Sequence, residues 1–150
     1  MKKLVSLLIF TNLLCACGAT DQNEATLAND VDYVDTTTDD GSFGKLWEIS
    51  KQVAPEYPFE AAKNGISGCV MYVIGVEKDG TIGHAKITKS YPEGVFEKNA
   101  AKALMKHRYE PTPENTERTA ALTKIKFTFE LKKSGNAEEA EQLCQFDELF

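Results

Sequence analysis

The stretch from Val95 to Pro111 constrains the fold of this chain most, because a helical pattern there runs directly into prolines. Five residues recur at helical spacing and form one stripe, and most of the lysines lie outside it. The five are Phe96, Ala100, Ala103, Leu104 and His107. Beyond Tyr109, Pro111 and Pro113 prevent the helix from continuing, since proline lacks an amide hydrogen and restricts the residue before it. The sequence therefore predicts an amphipathic helix that covers a core and ends in an extended turn.

Three strands are predicted around this helix. The first runs from Cys69 to Glu77 and the second from Thr81 to about Lys89, with a Lys-Asp-Gly hairpin turn between them. The third runs from Thr123 to Leu131 and alternates apolar and polar residues. A short helix, predicted for residues 59–64, precedes them. The order helix, strand, strand, helix, strand predicts an α+β fold, in which a small three-stranded antiparallel sheet packs against helices.

Charge is distributed unevenly along the 150 residues, and this divides the chain into segments. Residues 18–53 carry eight acids and two bases, residues 54–133 thirteen bases and ten acids, and residues 134–150 five acids and no base. We predict an acidic flexible tether over residues 18–45, a domain over 46–133 and an acidic tail over 134–150. An apolar cluster at residues 43–49 predicts a brief helix that packs on the domain. A chain this acidic is a poor binder of nucleic acid.

The N-terminus has the pattern of a targeting segment. Lys2 and Lys3 precede an apolar run that ends at Leu14, about half the length that a membrane-spanning helix needs. The letters LCACG that follow resemble a bacterial lipobox, so residues 1–17 are predicted to be a lipoprotein-type signal peptide that ends at a lipidated Cys17. An ordinary cleaved secretory signal is the alternative. Because Gly18 rather than aspartate follows, the resemblance implies a periplasmic protein anchored in the outer membrane.

Two cysteines then remain in an oxidising compartment, Cys69 and Cys144. Cys69 and Met71 lie on the face of the first strand opposite the core, which is apolar for a surface exposed to water. In the tail, Asn136 followed three residues later by Glu139 resembles a helix N-cap. A broad apolar stripe follows, formed by Ala140, Leu143, Cys144, Phe146 and Phe150. We hypothesise an extra C-terminal helix, pinned over this face by a disulfide between the two cysteines. The alternative is that the face is a homo-oligomer or partner interface.

The span from about Ala54 to Lys133 resembles a known family, the C-terminal domains of TonB, periplasmic modules that link inner-membrane energy to outer-membrane receptors. The residues that carry the resemblance are Pro55, Tyr57, Pro58, Gly68, Gly80, Phe96, Tyr109 and Pro111, with Ser90-Tyr91-Pro92 after the second strand. Two positions depart from the pattern: Ala54 stands where the family often has glutamine, and His107 where it usually has tryptophan. A full spanning helix and a long proline-rich segment are absent from the sequence as well.

By this resemblance the first strand is central and the third is an edge, whose open backbone groups are a template for another strand. The predicted peptide-binding stretch comprises Thr123, Lys124, Ile125, Lys126, Phe127, Thr128 and Phe129. An extended peptide of an outer-membrane transporter or envelope protein would add there as a strand, in a role related to TonB-dependent transport. The two lysines favour an acidic peptide, or else they only protect the edge from aggregation. A structural subunit of a stable envelope assembly, or a cell-wall contact protein, is the alternative function.

Patterns typical of enzymes are missing from the sequence. His84 and His107 are its two histidines, and neither lies in a metalloprotease motif or beside a nucleophile elbow. The pair Cys15 and Cys17 is a weak metal signal, since no histidine stands near it. We therefore expect no enzymatic activity, no cofactor and no metal site.

Overall fold

The protein is described here by a computed structural model, which covers residues 31–38 and 40–145. Its elements follow one another in the order β1 (Val34–Asp35), α1 (Ser42–Leu46), β2 (Trp47–Lys51), α2 (Phe59–Lys63), β3 (Gly68–Val76), β4 (Ile82–Tyr91), α3 (Glu97–Leu104), β5 (Arg108–Pro111), β6 (Ala121–Phe129) and α4 (Ala137–Leu143). The α+β fold predicted from the sequence is confirmed.

The main sheet has the strand order β1-β6-β3-β4, so β3 is central, as expected. Both β4 and β6 run antiparallel to it, and the register with β6 joins Gly68 to Phe129 at one end and Val76 to Ala121 at the other. The strand count differs from the prediction, because β1 adds a short fourth strand, parallel to β6. A strand of two residues is too short to leave an alternating pattern in a sequence.

A second, two-stranded sheet pairs β2 with β5 in antiparallel register, with Trp47 opposite Pro111. The brief helix predicted for residues 43–49 therefore ends at Leu46, and the chain continues as a strand because β5 offers a partner. Trp47 is 1% exposed, and its indole Nε1 donates to the carbonyl of Thr119 at 2.8 Å. Trp47 is buried and its single hydrogen-bond donor has a partner, so we assign it a structural role.

The core lies between the main sheet and α3. The predicted stripe is buried in it, and Phe96 stacks on Phe129 with ring centroids 4.2 Å apart. Tyr57 packs edge-on against both rings, and its hydroxyl donates to Ile66 O at 2.6 Å. Three aromatic side chains, those of Tyr57, Phe96 and Phe129, thus close one end of the core, and this gives the first two a packing role.

His107 follows α3 and is fully buried. Its Nδ1 lies 3.0 Å from the carbonyl oxygen of Ala103, which only accepts, so Nδ1 carries the hydrogen. The ring packs edge-on against Phe127 at 5.5 Å. Within the described part of the chain Nε2 has no hydrogen-bond partner. The imidazole therefore serves as a core aromatic.

The opposite face of β3 is covered by α4. Cys69 and Cys144 are joined by a disulfide with their Cα atoms 5.8 Å apart, which is the pairing hypothesised from the sequence, and Met71 is buried beside it. Asn136 does precede α4, but its side chain caps no helical amide. Instead it bonds the main chain of Ser67 in both directions, each at 2.9 Å. The predicted apolar positions Phe146 and Phe150 lie outside the described residues.

Residues 1–30 also lie outside the described part, and with them the predicted signal peptide, Cys17 and about half of the predicted tether. The tether was predicted to reach residue 45, but the structure places the chain against the sheet from Tyr33 onward. We call residues 33–36 the N-terminal strap. None of the helices in the described part of the chain has the length and apolar character that a membrane crossing requires.

Candidate functional site

The outer side of β6 is the predicted peptide-binding edge, and two hydrogen bonds fix which residues face it. Val34 N donates to Ala120 O at 2.9 Å, and Thr36 N donates to Leu122 O at 3.1 Å. Main-chain groups of a strand alternate between its two sides, so even-numbered residues of β6 face outward and odd-numbered ones bond β3. The amide and carbonyl of Lys124 and Thr128 therefore point away from the sheet.

The outer side of β6 is already paired at its beginning, just before the predicted peptide-binding stretch. The N-terminal strap pairs with Ala121 and Leu122, because Thr36 contributes a hydroxyl bond to Leu122 O at 2.6 Å as well as its amide. In the described residues, the strand pairing on this side ends at Leu122. The seven predicted residues, 123–129, begin immediately after it.

A tyrosine holds the strap in place. The ring of Tyr33 lies over Gly75 so closely that a Cβ there would stand 2.5 Å from the ring carbon Cε1. Its hydroxyl donates to Glu77 Oε1 at 2.5 Å. Because Gly75 has no side chain, the ring of Tyr33 packs directly on the backbone there and holds the strap against β3. Neither contact was evident from the sequence, where these residues are far apart.

The side chains of β6 alternate as predicted. Phe127 and Phe129 point into the core and are buried, and Ile125 is half-buried beside them. On the other face lie Lys124 and Thr128, together with the remaining even-numbered residue, Lys126. In the register with β3, Lys126 is opposite Met71 and Thr128 opposite Cys69, so this face continues the one that α4 covers.

An acid on an extended segment already lies close to the edge. The pKa of the Asp35 carboxyl is lowered, first because Thr37 N donates to it at 2.9 Å, then by the hydroxyl of Thr37 and, to a smaller extent, by the positive charge of Lys124. Lys126 donates from Nζ to Cys144 O at 3.1 Å. The lysine charges of β6 thus make the surroundings of its edge favourable for a carboxylate.

A groove of about 540 Å³ separates the end of β6 from α4. Thr128, Phe129 and Lys126 form its wall on the strand, and α4 contributes a second wall. The sequence predicted the helix but not this space, because the path of the tail relative to β6 follows from the disulfide and from Asn136. The groove opens beside the outward main chain of β6.

The residues that carry the family resemblance have packing and turn-forming roles in the structure. A Cβ on Gly68 would come within 1.9 Å of Tyr91 O, and one on Gly80 within 2.0 Å of Tyr109 O, so both glycines permit close backbone contacts. Burial raises the pKa of the Tyr109 phenol to about 12. Pro55, Tyr57 and Pro58 lead into the core, and Pro111 pairs with β2. Gly68 lies at the groove, and Tyr57 and Phe96 contact the edge stretch through the core side chain of Phe129.

The two histidines lie on different elements of the structure. His84 is exposed on β4, opposite Gly75, whereas His107 is enclosed beneath α3. Among residues 31–38 and 40–145, no group of three or more metal-ligating side chains comes together.

Titration of Tyr33 should report whether the strap is docked. Burial first, and then the hydrogen bond to Glu77 and its negative charge, raise the pKa of Tyr33 from 10.0 to about 12. Because the pKa is raised in the folded state, this contact stabilises the fold fully below pH 10 and is lost as the pH rises through 12. Tyrosinate absorbance of the protein minus that of Tyr33→Phe should therefore contain one component near pH 12. A component near pH 10 would contradict docking.

Comparisons with known proteins agree with this architecture. The solution NMR structure of the Pseudomonas aeruginosa TonB CTD superposes with a TM-score of 0.54 at 24% sequence identity, covering 67% of this chain and 95% of that one, and this likeness shows the fold. The protein TonB of Pseudomonas aeruginosa is 29% identical over 79 residues, which are 53% of this chain and 23% of that protein.

The matched part thus spans less than a quarter of the relative's length. A sequence profile of the family described as Gram-negative bacterial TonB protein C-terminal matches residues 53–131, more than half of the chain and nearly the span on which the resemblance rests. This chain belongs to the family of Gram-negative bacterial TonB protein C-terminal domains.

Proposed function

We propose that this chain is a non-enzymatic adaptor of the cell envelope, which captures an extended peptide of an outer-membrane transporter or another envelope protein by strand addition to β6. The observation that carries the proposal is the outward direction of the main-chain groups of Lys124 and Thr128, beyond the point where the strap ends. Membership in the TonB C-terminal family supports a role related to TonB-dependent transport.

The strap itself supports strand addition. It is an extended segment that bonds the same side of β6 through main-chain amides, at Ala120 and Leu122. Backbone pairing of this kind is indifferent to side-chain identity and therefore supplies affinity for a foreign peptide as readily as for the chain's own residues. An incoming peptide extends the sheet along residues 123–129 and stops before Leu122, which the strap already occupies.

Charge sets a preference among peptides. Lys124 and Lys126 lie on one face of the edge, and Asp35 of the strap already lies within the influence of Lys124. A peptide with acidic residues opposite these two lysines gains attraction that a neutral peptide lacks. The protective role of lysines on an edge strand is compatible with this preference.

The proposed place of the chain in the envelope rests on the lipobox pattern of the N-terminus. Lipidation of Cys17 anchors the chain at the periplasmic face of the outer membrane, close to the transporters that would supply the peptide. The intact mass of the mature protein tests this step, because acylation adds the mass of its fatty chains to a polypeptide that begins at Cys17.

Replacing Thr128 by proline should weaken peptide binding at least tenfold, which is about 1.4 kcal/mol. The substitution removes an outward amide at a position where edge strands tolerate proline. Ala85→Pro on β4 is the matched control, because Ala85 lies opposite Ile74 and its amide faces away from β3 on the other edge. Affinities for N-terminal peptides of outer-membrane transporters are measured by fluorescence anisotropy.

Equal affinities in both proline variants would contradict capture by β6. A complex with an envelope protein that forms at fixed stoichiometry, survives washing and is unaffected by Thr128→Pro would instead support the structural-subunit alternative. Lys124→Glu adds a charge test: it should weaken binding of acidic peptides and reduce the salt dependence of their affinity.

A further inference from the structure

We propose that α4 is the second wall of the peptide site, and that a bulky apolar side chain of the captured peptide inserts between β6 and α4, at the position opposite Thr128. This inference rests on the proposed capture of a peptide by β6. The inference states which kind of peptide side chain the site selects. Strand addition by itself does not determine this, because it uses only main-chain hydrogen bonds.

The position follows from the geometry of strand pairing. Residues directly opposite each other in neighbouring strands place their side chains on the same face of the sheet. Thr128 is opposite Cys69 of β3, on the face that α4 covers. A peptide residue added opposite Thr128 therefore points toward α4, whereas its two neighbours, opposite Phe127 and Phe129, point to the other face.

The chemistry follows from what lines the groove there. From α4 it receives the small side chains of Ala137 and Ala140 and the half-cystine Cys144, which leave the space of about 540 Å³ beside Thr128. Lys126 and Glu141 stand at the same groove and supply polar groups. The lining is about equally polar and apolar, and its apolar part, on α4 and at Phe129 and Leu131, favours a leucine-like or aromatic side chain at this position.

The wall is held in place before any peptide arrives. At one end of α4, Asn136 bonds the main chain of Ser67 at two points. At the other end, the disulfide joins Cys144 to Cys69 on the central strand. Because both ends are fixed to β3 or to the residue before it, the groove exists without the cost of ordering a mobile helix, and such preorganisation favours binding.

The test uses labelled synthetic peptides and the full mature chain. The probe Thr-Leu-Thr-Glu-Thr-Glu-Thr, and the same sequence reversed, place leucine opposite Thr128 and glutamates opposite the two lysines in the antiparallel and parallel orientations. Burial of the leucine side chain predicts roughly tenfold tighter binding in one orientation than for the version with alanine in its place.

Two variants of α4 make the test specific. Glu141 lies at the groove, and Glu141→Trp fills it with a bulky ring, so the preference for leucine over alanine should disappear. Glu138 is exposed on the same helix and lines a different surface, and Glu138→Trp makes the same change in charge and should keep the preference. Thermal unfolding of both variants verifies that they fold.

The possible outcomes distinguish failure of the groove proposal from failure of the proposed peptide capture by β6. Equal affinity of wild-type protein for the leucine and alanine peptides, or the same preference in both tryptophan variants, would overturn the groove and leave strand capture standing. Failure of the wild type to bind either peptide in either direction would contradict capture of these peptides by β6, and the groove with it.

Discussion

Removing the disulfide by the double substitution Cys69→Ala and Cys144→Ala is expected to lower the free energy of unfolding by about 4 kcal/mol. The bridge closes a loop between residues 75 apart in sequence, and such a cross-link restricts the unfolded chain more than the folded one. It also holds α4 over Met71, which is 2% exposed in the folded protein. Release of the helix would return this apolar surface to water.

Urea denaturation of the oxidised protein, followed by circular dichroism, measures the effect. Wild-type protein treated with a reductant is the control, because it loses the bridge without losing any atoms of the core. The reduced protein and the double variant should show similar losses of stability. A loss below about 1 kcal/mol in both would contradict the loop-closure argument.

The second large effect is expected at the turn between β3 and β4, where Gly80→Ala should cost about 3 kcal/mol or more. Gly80 has φ +81°, and a Cβ there would stand 2.0 Å from the carbonyl oxygen of Tyr109. That carbonyl belongs to backbone that cannot rotate aside, because Tyr109 N donates to Gly80 O at 2.9 Å. The substitution therefore separates the hairpin from β5.

Gly94 provides the matched control for this substitution. Its φ is +80°, nearly the same as that of Gly80, but a Cβ there would meet no atom within 4 Å. Gly94→Ala should cost only the conformational strain of about 1 kcal/mol. Chemical denaturation of the two variants side by side isolates the steric contribution, and equal costs would contradict the close contact at Tyr109.

Periodicity was sufficient for the elements that bury a whole face. The stripe from Phe96 to His107 predicted α3, and alternation predicted β6 with a shift of two residues, from Thr123–Leu131 to Ala121–Phe129. Such patterns survive in a sequence because each buried side chain repeats at the period of its element. The edge position of β6 came from family resemblance, since no local pattern states which strands are neighbours.

The strap and the small sheet of β2 and β5 could not be predicted, because main-chain contacts define them. The strap pairs through amides at Val34 and Thr36. The contact of its Tyr33 ring needs the bare backbone of Gly75, which is about forty residues away in the sequence. The pairing of β2 with β5 likewise joins distant segments of four and five residues. The groove beside Thr128 appears only once α4 is attached to β3.

Amide hydrogen exchange at Lys124 and Thr128, with and without a saturating transporter peptide, tests the central claim most directly. Strand addition to β6 predicts that exchange slows at these two outward-facing amides, while Ile125 and Phe127, whose amides already face β3, change little. Unchanged exchange at Lys124 and Thr128 in the bound state, or slowing confined to Ala85 on the opposite edge, would contradict it.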